Sequence, residues 1–169
     1  APSFYGLDFS ELPALIGAFA YGPVAGVMIE FCKILIKLVL KPSSTAFVGE
    51  LANFSISCML VLPASVIYLF KKSRKQAILG TVVGTLIMTA FGSCFNAIYL
   101  LPKFSELYGI PLDAIIGMGT AINPAIHSIS GLVLMCVVPL NLLKGGLVSL
   151  ITILVYKKLS PILKAAHKQ

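Results

Sequence analysis

The sequence predicts an all-α protein that lives in a membrane. Of its 169 residues 58% are hydrophobic and only 11% charged, its mean hydropathy is +0.98, and its apolar residues gather in long runs. An ordinary soluble domain carries about 25% charged and about 45–50% apolar residues. A water-exposed globule of this length has too much surface to hide the excess, so lipid must be part of the solvent. A soluble enzyme, a disordered chain and a nucleic-acid module are excluded together.

A membrane-spanning helix needs about 20 mostly apolar residues. Residues 12–21 (LPALIGAFAY) predict a short helix that cannot span, at about 1.5 Å of rise per residue. Gly22-Pro23 ends it and opens a second helix over 23–40, since proline suits a first helical turn; Glu30, Lys33 and Lys37 interrupt its apolar run. Residues 46–70 form a clear span, closed by Lys71, Lys72, Arg74 and Lys75, and 76–100 form another that ends at Leu101-Pro102. Residues 101–139 read as a long outer loop with some helix. Within it, 101–125 mixes Glu106 and Asp113 with Gly and Pro, and 126–138 is an apolar lead-in. Pro139 separates that lead-in from a last spanning helix at about 140–160. The whole chain, 1–169, is one integral membrane domain.

Charge sets the orientation. The net charge is +7, from 13 Lys and Arg against 6 Asp and Glu. Lys71, Lys72, Arg74 and Lys75 form one basic cluster; Lys157, Lys158, Lys164 and Lys168 form another, and both follow apolar runs. The positive-inside rule makes both cytoplasmic. Span 46–70 then runs inward, 76–100 outward, and the last helix inward again. Asp8, Glu11, Glu106 and Asp113 fall on the outer side. An external N-terminus without an export signal predicts a helix upstream of Ala1, hence a bundle of six helices of which five are present.

An ionisable residue at membrane depth costs about 2.5–3.5 kcal/mol on insertion scales, which makes it a functional candidate by default. Glu30, Lys33 and Lys37 share one helical face. Either Glu30 and Lys33 neutralise each other, or Lys33 serves function; Lys37 reads as a snorkelling side chain. Glu50 and Asn53, with Thr45 before them, lie near the outer end of 46–70. Asn96 and Tyr99 lie near the outer end of 76–100, and Asn141 and Lys144 near the outer end of the last helix. Three helices thus bring polar groups to one depth. Apolar walls with a few placed polar groups are the usual form of a small-molecule site.

Cys32, Cys58, Cys94 and Cys136 stand inside apolar runs without CxxC spacing and read as small hydrophobes; His127 and His167 lie far apart. No metal site is predicted. Gly22-x-x-x-Gly26, Gly80-x-x-x-Gly84 and Ala14-x-x-x-Ala18 read as helix-packing contacts. No GxSxG, Walker lysine loop, HExxH or paired catalytic carboxylates occur, so no enzyme and no cofactor are predicted, and energy must come from an ion gradient or a partner.

Four segments resemble the riboflavin-specific (RibU-type) S-components of energy-coupling factor (ECF) vitamin transporters. They are Leu7-Asp8-Phe9-Ser10-Glu11-Leu12-Pro13 with Gly22-Pro23 and Gly26; Gly49-Glu50-Leu51-Ala52-Asn53-Phe54; Asn96-Ala97-Ile98-Tyr99 with Pro102; and Asn141-Leu142-Leu143-Lys144-Gly145. The resemblance covers nearly the whole chain. It implies a six-helix bundle in a bacterial plasma membrane with an outward-facing vitamin pocket. It also implies a capture subunit that binds riboflavin, docks on a transmembrane coupling protein with two ATPase subunits, and topples to release vitamin inward.

Carried residue by residue, the resemblance implies that Asn141 and Lys144 hold the flavin ring. It also implies that Glu50 and Thr45 face the ribityl hydroxyls or ring edge, and that Asn96 is a further ring contact. Tyr5, Leu7 and Asp8 complete the set. The aromatics near them, Phe4 and Phe9 included, either close over the ring or form an interfacial belt. An Asn amide both donates and accepts, and a Lys adds a charge-assisted bond to a carbonyl oxygen, which suits the edge of an isoalloxazine. The alternatives are an S-component for another vitamin and a solitary ion-coupled carrier with Glu30 and Lys33 as its coupling pair.

Overall fold

The protein is described by a computed structural model over residues 11–42 and 47–166. Four helices come first: α1 (Glu11–Tyr21), α2 (Pro23–Leu40), α3 (Val48–Phe70) and α4 (Arg74–Phe95). Three short ones follow, α5 (Leu101–Tyr108), α6 (Leu112–Thr120) and α7 (Ile129–Leu132), and the long α8 (Val138–Ala166) closes the chain. Among the described residues, three stretches are long and apolar enough to cross a membrane: Val48–Phe70, Arg74–Tyr108 and Ile129–Tyr156.

Small residues set the helix spacing. Helices α3 and α4 form a hairpin whose second arm starts at Ser73, where the hydroxyl caps the Gln76 N–H at 3.4 Å. A Cβ at Gly80 would stand 2.5 Å from the Ala64 carbonyl oxygen, and one at Gly84 2.5 Å from that of Leu60. The two backbones therefore touch, as small residues four apart permit. Gly26 of α2 packs closely on Ala18 and the Ala14 carbonyl of α1, so the Gly80/Gly84 and Ala14/Ala18 spacings mark helix packing; Gly22 has nothing within 4 Å and, at φ 103°, serves the turn between α1 and α2 instead.

Helix α1 is too short to span, and its apolar face is buried against α2, α3 and α8. Phe19 joins Leu60, Tyr68, Met88, Val148 and Tyr156 in the main core. A second core gathers Leu101, Ile115, Ile126, Leu132 and Val137 beneath the short helices. Outward, Val24, Met28, Phe31, Val39 and Leu40 of α2 are exposed, a surface that suits hydrocarbon rather than water. Buried hydroxyls of Ser65, Thr89 and Thr152 donate to the carbonyl four residues back, which satisfies them without a partner helix.

Two sequence expectations are corrected here. The chain does not break at Leu101-Pro102 or at Pro139. A π-helical turn, Asn96–Leu100, carries α4 into α5, and a second, Val133–Val137, carries α7 into α8. In each the residue just after the turn, Leu101 or Val138, donates its N–H five residues back, to Asn96 or Val133. A proline ring clashes with the carbonyl four residues before it; the widened turn just upstream relieves that clash. Most of 101–139 is consequently helical, and the last helix is not confined to 140–160.

Candidate functional site

The site grows from two pieces of local geometry. On α3, Glu50, Asn53 and Ser57 recur at intervals of three and four and so share one helical face. Ser57 reaches Asn53 Oδ1 at 3.4 Å and, more strongly, donates to Glu11 Oε1 at 2.7 Å. On α8, Asn141 and Lys144 lie one turn apart and face inward; Lys144 is buried, with its ammonium 2.6 Å from the same Glu11 oxygen.

Glu11 is the hub. The sequence predicts it on the outer side, yet it is 0% exposed. It opens α1, whose other inward positions are Ala14, Leu15, Ala18 and Phe19, and its carboxylate enters where α1, α2, α3 and α8 meet. Lys33 of α2 stands 3.6 Å from Glu11 Oε1 and 2.7 Å from Glu30 Oε2, the latter without hydrogen-bond alignment. Glu11 and Glu30 match Lys33 and Lys144 in formal charge, so the cluster is neutral as a whole. Glu11 Oε2 and Glu30 Oε1 are buried without a hydrogen-bond partner, which leaves accepting capacity inside the bundle.

Beside this cluster two amides converge on one glycine. Asn96 opens the first π turn, is buried, and donates from Nδ2 to the Gly92 carbonyl at 2.7 Å. A Cβ at Gly92 would stand 2.7 Å from Asn141 Nδ2, so the Asn141 amide lies against bare backbone. That Nδ2 is buried and makes no hydrogen bond. A buried donor left unpaired costs about 1–3 kcal/mol, which marks it as a group able to reward a bound acceptor.

Of the predicted site residues, Asn96 and Asn141 come together at Gly92, while Lys144 sits one turn along α8 and is engaged by Glu11. Glu50 is part-buried in the first turn of α3, on the Ser57 face. Tyr5, Leu7, Asp8 and Thr45 lie outside the described residues. An open apolar groove of about 610 Å³ lies on the flank of α1 and α2. Pro13, Met28 and Ile29 line it, and it meets the polar cluster only at Lys33. Sequence reasoning missed Glu11, Ser57 and Gly92. Ser57 continues the spacing of Glu50 and Asn53, a signal present in the sequence; Glu11 and Gly92 acquire their roles only across helices.

The comparisons with known proteins agree with one another. The family described as "ECF transporter, substrate-specific component" matches residues 1–156. The chain is 32% identical over 163 residues to "Riboflavin transporter RibU" of Staphylococcus aureus (strain TCH60), covering 96% of this chain and 79% of that protein. It is 29% identical over 163 residues to "Riboflavin transporter FmnP" of Bacillus subtilis (strain 168), covering 95% and 79%. A solved structure described as "Structure and mechanism of the S component of a bacterial ECF transporter" superposes with a TM-score of 0.67 at 35% identity, over 94% of this chain and 79% of that one. With the family matched along nearly its whole length and the helical bundle shared, the chain belongs to the substrate-specific components of ECF transporters.

Proposed function

We propose that this chain captures riboflavin and delivers it to an ATP-driven energising module. The observation that carries the ligand assignment is the buried, unpaired Asn141 amide beside Asn96, within a family whose similar members are named riboflavin transporters. The isoalloxazine edge alternates carbonyl oxygens and ring nitrogens. An Asn Nδ2 donates to such an acceptor and an Asn Oδ1 accepts from the ring N–H; Lys144 adds a charge-assisted bond. On this reading Glu50 and Thr45 face the ribityl hydroxyls or ring edge, and Tyr5, Leu7 and Asp8 belong to the ligand-contacting set. No bond of the vitamin is made or broken; the chain is a binding subunit, not a catalyst.

The membrane assignment follows from the three apolar helical stretches. In the proposed orientation the basic clusters face the bacterial cytoplasm and the pocket opens outward. Transport rests on a transmembrane coupling protein and two ATPase subunits. Flavin fluorescence tests the reading directly. Riboflavin titrated with purified protein is expected to be quenched at micromolar protein, and unquenched fluorescence would sink the assignment. Relief of that quenching by a different vitamin, at equal or lower concentration than riboflavin itself, would redirect the assignment to that ligand.

A further inference from the structure

Glu11 spends one carboxylate oxygen on three partners from three helices: Lys144 Nζ at 2.6 Å, Ser57 Oγ at 2.7 Å and Lys33 Nζ at 3.6 Å. A Lys side chain has four rotatable carbons and a point-like charge, so its ammonium adopts a fixed place only where something holds it. At Lys144 the holder is Glu11, itself fully buried and fixed in turn by the Ser57 hydroxyl. The helices concerned are distant in sequence and adjacent in space, which ties the start of α1 to the part of α8 that carries Asn141.

We propose that Glu11 is a positioning residue for ligand capture: its carboxylate holds the Lys144 ammonium at a set height in the bundle, within a turn of the Asn141 amide. The proposal rests on the riboflavin reading above. Two physical consequences follow. Holding Lys144 in advance removes the entropy of ordering a long side chain at the moment of binding. The Glu11 carboxylate also offsets the cost of burying the Lys144 side chain, because an unpaired buried charge is strongly disfavoured. Lys33 and Glu30 act further out, as the pair that completes neutrality around the hub.

The test is a double-mutant cycle read by riboflavin fluorescence quenching on the full chain in detergent. Lys144→Met is expected to lower affinity about tenfold, and Glu11→Gln about fivefold or more. In the Lys144→Met background, Glu11→Gln is expected to cost less than about twofold further, since it has nothing left to position. Native affinity in Glu11→Gln overturns the proposal. So does the same fold-loss with and without Lys144, which would mean that Glu11 only supports the bundle. If Lys144→Met binds as well as native, Lys144 leaves the pocket and the proposal falls, while quenching by native protein keeps the riboflavin reading intact. Should Glu11→Gln not fold, Ser57→Ala decides: it removes the 2.7 Å bond that fixes Glu11, together with a longer 3.4 Å contact to Asn53. A loss of about two- to threefold that disappears in the Lys144→Met background supports positioning, and no loss overturns it.

Discussion

The Asn141 amide and Gly92 are in contact because Gly92 has no side chain: a Cβ there would stand 2.7 Å from Asn141 Nδ2. Gly92→Ala must therefore push the amide aside. Riboflavin affinity is expected to fall about tenfold, or about 1.4 kcal/mol, with the thermal unfolding of the protein in detergent little changed. In an Asn141→Ala background the same substitution should cost almost nothing. Equal losses in both backgrounds would show that Gly92 acts on something other than Asn141.

The Glu30–Lys33 pair predicts an asymmetry between single and double changes. Lys33→Ala leaves the Glu30 carboxylate buried without its 2.7 Å partner, and breaking a buried pair in this way costs about 3–5 kcal/mol. Replacing both by methionine is expected to recover most of that loss, because an apolar pair carries no desolvation penalty. Thermal melts of these two variants beside native protein measure it; a double variant as unstable as the single one contradicts it.

Two glycines on different surfaces should respond in opposite directions. At Gly80 a methyl group would meet the Ala64 backbone oxygen, which cannot move without separating α3 from α4. At Gly146 nothing lies within 4 Å. Gly80→Ala is expected to destabilise by about 1–3 kcal/mol through overpacking. Gly146→Ala should be neutral or stabilise by about 0.5–1 kcal/mol through helix propensity. The comparison of melting temperatures needs only these two variants.

Tyr68 and Tyr156 share a hydrogen bond at 3.0 Å in the main core, with the Phe19 ring 4.6 Å from that of Tyr68 and tilted 32° to it. Either single Tyr→Phe change orphans the remaining hydroxyl, a loss of about 1–3 kcal/mol. Tyr68→Phe combined with Tyr156→Phe removes both polar groups and should be closer to native than either alone. Additive losses would mean the hydroxyls have other partners.

The membrane character was readable from composition, because lipid-facing residues such as Val24 and Val39 need no alternation to be recognised. Close helix packing was readable at Gly80 and Gly84, where spacing alone brings small residues to one face. The Asn141 and Lys144 pair was readable for the same reason. Glu11 was not. Its position before an apolar segment resembles a residue in the outer boundary region, and only the meeting of α1, α2, α3 and α8 turns it inward. Pro102 and Pro139 misled for a different reason: each reads as a helix break, but a widened turn upstream carries the helix through it, and a hydrogen bond to the fifth residue back leaves no pattern in side-chain polarity.

Each π turn also acts as a phase shift. A helix advances about 100° per residue, so one residue accommodated in a wider turn rotates everything after it relative to everything before. Within Ile129–Ala166, that rotation sets the angle between the second core at Leu132 and the inward face at Asn141 and Lys144. A point substitution leaves this angle alone. Deleting a single residue from Val133–Val137 would reset it, turning the amide and the ammonium together away from Gly92 and Glu11 while every side chain in α8 stayed the same.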